Sequence, residues 1–347
     1  MEIGALTFLH PGESASSLEE SIQQASAVTV LVDENTLNYC WPELVKLYPA
    51  LANASLLEVP AGEESKSLEI VAGLWESLAE QKADRNALFI NLGGGMVCDL
   101  GGFVASTYMR GIAFINLPTS LLAMVDAAIG GKTGIDFMGA KNLIGSFASA
   151  QSTIIHPQFL ETLPSREFRS GWAEMIKHAI IHGDEHWKQL QHLPSPDHKI
   201  PGELIEKSAR IKLQIVETDP LEKGERKKLN LGHTFGHALE SLSLKSDHPL
   251  SHGEAVAFGI LAETRLACNL GKCELSFGEE INNLITNIYG TPPKFSFSEA
   301  LSFLKFDKKN RSGELRFSLP AAAGNVLYDV KVAMEEAEKA WNSLFDA

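Results

Sequence analysis

The segment LGHTFGHALE, residues 231–240, places His233 and His237 four residues apart, and a third histidine, His252, follows in LSHGEAV. On a helix, residues i and i+4 share a face, so the first two imidazoles can be offered to a common metal ion. Zinc takes nitrogen and oxygen ligands, and a catalytic zinc keeps three protein ligands and one position open for water or substrate. A carboxylate is available in SGWAEMIKHAII, where Glu174 and Lys177 share a face three residues apart. The bland alternatives are a solvated Glu/Lys pair and hydrogen-bonded structural histidines. HExxH is absent, which removes a zinc protease of that type.

A second chemistry-bearing run, NLGGGMVCDLGGF, starts at Asn91, directly after a predicted strand, and leads into a helical segment. Consecutive glycines let a backbone turn tightly and approach a phosphate, and the free N–H groups of a following helix attract the anion. The placement suits a pyrophosphate. The pattern is not GxGxxG, so a structural tight turn stands beside that reading. GGKTG, residues 130–134, resembles the end of a nucleotide-triphosphate loop, but Asp126 stands where that motif needs glycine. Asp126 and Lys132 then read as a carboxylate and an ammonium offered separately to a polar ligand, or as a surface charge pair.

The elements that must position these residues follow from the rest of the chain. Its 347 residues, 44% of them hydrophobic, suffice for two packed domains. The net charge of -14, without a long Lys/Arg run, gives no general support to nucleic-acid or anionic-membrane binding and points to small partners. The opening MEIGALTFLHPGE lacks a basic start followed by an apolar segment, so neither signal peptide nor membrane anchor is expected and the cytoplasm is the default location. Cys40, Cys98, Cys268 and Cys273 form no disulfide or zinc-ribbon pattern, and buried reduced thiols are expected.

In the first half, VTVLV (28–32), SLLEV (55–59), ALFINL (87–92) and IAFINL (112–117) alternate with helical stretches, which predicts parallel strands with helical crossovers. In KSLEIVAGLWESLAEQ, Leu68, Val71, Leu74, Trp75 and Leu78 have the spacing of one buried helix face. Beyond residue 165 the β-rich runs mostly vanish and long amphipathic stretches follow. The expected domains are 1–165, α/β, and 166–347, mainly helical, with a boundary close to Pro164 and a ligand cleft between the halves.

Taken together, PAGEESKS (60–67), GGGMVCDLGGF (93–103), ASTYMRG (105–111), LPTSLLAMVDAAIGGKTGID (117–136), KNLIG (141–145), FLETLP (159–164), AEMIKHAII (173–181), NLGHTFGHALE (230–240) and SHGEAV (251–256) resemble the 3-dehydroquinate synthases, members of the sugar-phosphate cyclases. The resemblance implies an α/β Rossmann-like NAD-binding domain, a mainly α-helical metal-binding domain, an active site in the cleft between them, and a homodimer. It implies Glu174, His233 and His252 as ligands of one divalent metal, zinc or in its place cobalt, with His237 facing the substrate. The NAD site would draw on Asp33, Asn35, Glu63, Lys66, Gly94, Gly95, Asp99, Thr119, Ser120, Phe159, Thr162 and Leu163, with Asp126, Lys132 and Lys141 bordering it.

The substrate implied, 3-deoxy-D-arabino-heptulosonate 7-phosphate, carries a carboxylate and a phosphate, so its pocket must be locally positive. Lys132, Lys141, Asn142, Lys177, Lys212, Arg226, Asn230 and His237 hold the matching positions, and in FDKKNRSGELRF Lys308 is preferred over Lys309. Of these, Lys132, Lys177 and His237, with Asp126, are the implied catalytic groups. The implied reaction is a phosphate-eliminating lyase step of the shikimate pathway to chorismate and the aromatic amino acids. It runs through transient oxidation by NAD, phosphate elimination, re-reduction and intramolecular aldol closure. The rivals are an inosose- or valiolone-type cyclase, a metal-dependent polyol dehydrogenase, and a non-enzymatic NAD- or zinc-binding module. A neutral polyol needs no such set of cations, and no ligand or pocket lysine is lost.

Overall fold

The computed structural model describes residues 3–138, 140–193, 200–306 and 314–345. The chain divides into two compact units, Met1–Pro164 and Ser165–Ala347.

In the first unit the strands are β1 (Ala5–Phe8), β2 (Val28–Asp33), β3 (Ser55–Val59), β4 (Leu88–Gly93), β5 (Ala113–Pro118), β6 (Lys132–Phe137), β7 (Ala140–Phe147) and β8 (Ser152–Ile155). Six of these form one sheet in the order β1-β8-β5-β4-β2-β3, every neighbouring pair parallel. β4 is buried along its whole length and β2 along all but its first residue, which explains their near-continuous apolar runs. From β2 the chain steps outward to β3, then crosses back to β4 on the other side. The order β3-β2-β4-β5-β8 is thus the flavodoxin-type form of a doubly wound sheet, with its switch point between β2 and β4. At such a point the carboxyl ends of strands open a crevice for ligands.

β2 to β5 coincide with the apolar runs expected as strands, whereas β1 and β8 have four residues each and carry little periodicity. The antiparallel hairpin of β6 and β7 is likewise unmarked in the sequence pattern. The helix Leu68–Glu80 starts where Ser67 accepts a hydrogen bond from the Ile70 amide. It buries Val71, Leu74 and Leu78 in a core with Leu31, Phe89, Val97 and Leu100. Leu68, expected on that face, is instead 48% exposed because it opens the helix ahead of the first core contact.

The second unit holds the helices Ser165–His182, Gly202–Thr218, His233–Ser243 and His252–Asn269, together with an antiparallel hairpin of β9 (Leu315–Ala322) and β10 (Asn325–Val332) that the sequence reading overlooks. That hairpin supports the His233 helix, since Phe317 of β9 packs against Phe235 at a tilt of 46° with ring centroids 4.8 Å apart, and Trp341 packs at 5.7 Å. Burying a side chain such as Phe235 contributes about 1.5–3 kcal/mol. Among the described residues no helix is long and apolar enough to cross a membrane.

The His233 and His252 helices touch backbone to backbone. A Cβ on Gly259 would lie 1.9 Å from the Gly232 carbonyl oxygen, and one on Gly236 would lie 2.9 Å from the Ala255 oxygen. Gly232 has φ +82°, in the region that disfavours a side chain, and supplies the turn into the His233 helix. Glycine at 259 is therefore a requirement of the crossing. Gly259→Ala is expected to lower unfolding stability by about 1–3 kcal/mol or more, as measured by urea denaturation; a midpoint equal to wild type would contradict this packing.

Candidate metal centre and nucleotide loops

Glu174 lies in the middle of the Ser165–His182 helix with 0% exposure. His252 begins its own helix behind a capping box, in which the Ser251 hydroxyl accepts from the Glu254 amide and the Glu254 carboxylate accepts from the Ser251 amide at 2.8 Å. The Gly253 amide donates to Ser170 Oγ at 2.9 Å, and a Cβ on Gly253 would lie 2.2 Å from the Ser170 carbonyl oxygen. Ser170 is one turn before Glu174, so this close seating delivers His252 Nε2 to 3.5 Å from Glu174 Oε1. His233, the first residue of its helix, brings its Nε2 to 3.6 Å from the same oxygen.

One ligand atom from each of Glu174, His233 and His252 lies within 4.8 Å of the others. A tetrahedral ion with donors at about 2.0–2.2 Å places those donors about 3.4 Å apart. The two measured separations fit such an edge. The outer partners fit as well: His233 Nδ1 faces the Leu231 carbonyl oxygen at 3.1 Å and His252 Nδ1 faces Glu240 Oε2 at 3.5 Å. Metal-binding histidines characteristically give their second nitrogen to a carbonyl or a carboxylate, which fixes the tautomer.

The electrostatics favour a cation. Burial, aided by the Lys177 ammonium, pushes His233 well below the usual histidine range, so the imidazole is held in the neutral form that binds metal. Burial opposes charge on His252 too, but hydrogen bonds to Glu174 and Glu240 outweigh it and raise this residue to about 10. Positive charge between these carboxylates is stabilised.

Lys177, at 1% exposure, forms an ion pair with Glu174. It is a buried pair and not the solvated one that its spacing most commonly marks. His237 is exposed, with its ring centroid 5.2 Å from that of His233 and 6.3 Å from that of His252. All three histidines therefore gather, and His237 stands outside the donor set. Lys212 and Arg226 are buried, at 7% and 2% exposure, on the Gly202–Thr218 helix and on the 3-10 turn Glu225–Asn230 that packs against it. Arg226 Nη1 donates to the Pro220 oxygen at 2.7 Å, and Asn230 Nδ2 donates to Glu222 Oε1 at 2.7 Å. Lys308 and Lys309 lie outside the described residues.

In the first unit the expected nucleotide residues gather at the carboxyl ends of the parallel strands. Asp33 ends β2 and accepts from the amides of Asn35, 2.9 Å, and Thr36, 2.8 Å. The Gly95–Thr107 helix opens at Gly94 after β4, and Thr119 and Ser120 follow β5, where the Thr119 amide donates to the Gly93 oxygen at 3.0 Å. A Cβ on Gly94 would meet Ser120 Oγ at 3.4 Å, and one on Gly95 would meet Ala127 at 3.1 Å. Neither glycine has positive φ, so their use here is close approach and not the tight left-handed turn that the run suggests. Cys40, buried beside Asp33 and hydrogen-bonded to Thr119, is raised to about 12, which keeps it an unreactive thiol.

Lys66, 2% exposed, lies 2.9 Å from Asp99 Oδ2, 3.1 Å from Glu63 Oε1 and 2.6 Å from Asn142 Oδ1. Burial works against its charge, but Asp99 and Glu63 outweigh it and raise the ammonium above its ordinary value. Asn142, expected to meet substrate, thus joins the Lys66 cluster, held also by its amide donating to Asp136 Oδ1 at 2.7 Å. Lys132 opens β6 and Lys141 lies on β7, both exposed. Asp126 is half-buried in a π-helical turn, Ala123–Ala127, a conformation frequent at functional sites. Phe159 is buried and Thr162 exposed in the 3-10 turn Pro157–Thr162 after β8, with Leu163 next.

Three residues the sequence reading leaves aside belong to the metal centre's surroundings. Glu240 lies seven residues after His233 on the same helix, a spacing that the i, i+4, i+7 rule would have picked out beside His237. His178, one turn after Glu174 and fully buried, has its Nδ1 2.8 Å from Ser208 Oγ. Glu263 has no local signal, because its partners are 28 to 31 positions away.

Residues 56–170 match the family described as 3-dehydroquinate synthase N-terminal, and residues 171–310 match 3-dehydroquinate synthase C-terminal. A 3-dehydroquinate synthase of Parabacteroides distasonis is 40% identical over 313 residues, covering 88% of this chain and 88% of its own. One from Pyrococcus furiosus is 38% identical over 337 residues, covering 94% and 97%. Among solved structures, a 2-deoxy-scyllo-inosose synthase with carbaglucose-6-phosphate, NAD+ and Co2+ superposes with a TM-score of 0.86 at 22% identity, covering 97% of this chain and 96% of that one. A 2-epi-5-epi-valiolone synthase from Streptomyces hygroscopicus subsp. jinggangensis with NAD+ and Zn2+ gives 0.85 at 23% identity, covering 100% and 98%. At these identities the two structures show the shared fold.

The donor set predicts a graded loss of zinc. Glu240→Gln is expected to weaken zinc binding about 10–100-fold, and His252→Ala or Glu174→Gln by more than that, in a chelator competition. A fully zinc-loaded His252→Ala protein would remove His252 from the ligands.

Proposed function

The chain belongs to the 3-dehydroquinate synthase family, and from that premise we propose that it converts 3-deoxy-D-arabino-heptulosonate 7-phosphate to 3-dehydroquinate and phosphate, using NAD and one divalent metal ion, zinc in first place and cobalt as its substitute. The observation that carries the metal is the Glu174, His233, His252 donor set with its outer partners Leu231 and Glu240. When bound, NAD supplies a reversible hydride acceptor and the metal a Lewis-acid hold on substrate hydroxyls.

The chain's own residues bind and orient. Lys212 and Arg226 are cations kept at low exposure in a protein of net charge -14, an arrangement suited to a ligand carrying both carboxylate and phosphate. Arginine adds a planar fork and lysine a point charge. His237, exposed beside the ligand imidazoles, is in position to hydrogen-bond a substrate oxygen and orient the departing phosphate. Lys177 holds the Glu174 carboxylate ionised and in place. Lys132 and Asp126 offer an ammonium and a carboxylate to the polar groups of the substrate, and Lys141 adds a further ammonium. At the β2/β4 switch point, Asp33 suits the adenosine end of the cofactor, and the amides of the Gly95 helix suit its pyrophosphate. The same reading makes the protein a cytoplasmic homodimer of the shikimate pathway with small-molecule partners.

The test is phosphate release from the heptulosonate phosphate by zinc-loaded protein given substoichiometric NAD. Many phosphates per NAD are expected, because the hydride returns to the substrate. No release by protein that binds both cofactors would redirect the reading to inosose- or valiolone-type substrates and then to polyols, where NADH would accumulate. Lys132→Ala is expected to cut turnover about 100-fold or more with unchanged thermal unfolding; near-normal turnover would remove Lys132 from the site.

A further inference from the structure

Glu263 lies on the His252 helix with 0% exposure, eleven positions beyond His252 and so about 16 Å along the axis. Its carboxylate reaches the start of the neighbouring helix, where Oε2 accepts from the Gly232 amide at 2.6 Å and Oε1 accepts from the Thr234 and Phe235 amides at 3.1 and 3.4 Å. The first amides of a helix lack intrahelical acceptors, and an ionised acceptor binds them more strongly than a neutral one. These amides flank His233, the first residue of that helix.

The Gly232 N–H belongs to the same peptide unit as the Leu231 carbonyl. That carbonyl faces His233 Nδ1 at 3.1 Å, while the N–H at the opposite edge of the planar unit donates to Glu263. One peptide plane is thus gripped at both ends. The carbonyl's direction decides which imidazole nitrogen keeps its proton, and therefore that Nε2 faces Glu174 with its lone pair. Hydrogen bonds joined in series in a low-dielectric interior reinforce one another.

We propose that Glu263 is a positioning residue for the metal centre: through the Leu231–Gly232 peptide it fixes the tautomer and direction of His233. The inference rests on the reading of Glu174, His233 and His252 as the ligands. The His252 helix then supplies one ligand from its first residue and aligns a second from about three turns further along.

The test compares wild type with Glu263→Gln, which keeps the size and one acceptor oxygen but loses the charge. Zinc affinity is read by chelator competition, and ligand geometry by the visible absorption of the cobalt-substituted protein. Zinc affinity is expected to fall about 10-fold or more, the cobalt bands to shift, and the zinc-induced rise in Tm to shrink. If Glu263 only stabilises the fold, zinc-free and zinc-loaded Tm fall together with affinity and spectrum unchanged, and the proposal is overturned. Should Glu263→Gln fail to fold, Glu263→Asp, which keeps the charge and withdraws it by one methylene, takes its place. Weakened zinc binding with an altered cobalt spectrum supports the proposal, and wild-type values for both overturn it. A wild-type protein that binds no zinc overturns the ligand reading itself, and this inference with it.

Discussion

A carboxylate with no exposure to water must be neutralised by positive charge or lose its ionisation, and Glu174 is such a group. Lys177 approaches it from the same helix, while His233 and His252 approach one of its oxygens from two others. The lysine offsets one charge, and both imidazoles turn Nε2 toward the same carboxylate oxygen, where a divalent cation taking the place of the His252 proton would meet all three donors together. Raised protonation of His252 and depressed protonation of His233 are two views of one arrangement. The site attracts a positive charge and holds one imidazole ready to bind it without a proton.

Holding those donors within a few ångströms demands close helix contacts, and these account for residues that carry no chemistry. Gly253 lets the His252 helix rest on Ser170, Gly259 lets it rest on Gly232, and the left-handed Gly232 turns the chain into the His233 helix. The β9/β10 hairpin backs that helix through Phe317. In the first unit the same economy of approach recurs: Gly94 and Gly95 bring the loop after β4 against Ser120 and Ala127. The Gly95–Thr107 helix thus starts directly after β4, at the carboxyl end of a strand that borders the switch point of the sheet.

The legible part of this structure is what local pattern encodes. Long apolar runs marked β2 to β5, three-four spacing marked the Leu68–Glu80 helix, and ordered motifs marked the family. Spacing alone grouped His233 and His237, since it sees one helix at a time. The resemblance kept His252 and set His237 aside, and the structure seats His252 near Glu174 through a contact at Gly253 that joins residues 83 apart in the chain. Glu263, β1 and β8 were not legible for the same reason. Their roles lie in pairings with distant residues, which leave no periodic trace.

The most direct measurement is anomalous diffraction at the zinc edge from crystals of the zinc-loaded protein. One strong peak is predicted, bonded to an oxygen of Glu174 and to the Nε2 atoms of His233 and His252, with Nδ1 of His233 on the Leu231 carbonyl. A peak bonded to His237 in place of His252, or one held by cysteine sulfur, would contradict the arrangement on which the rest depends.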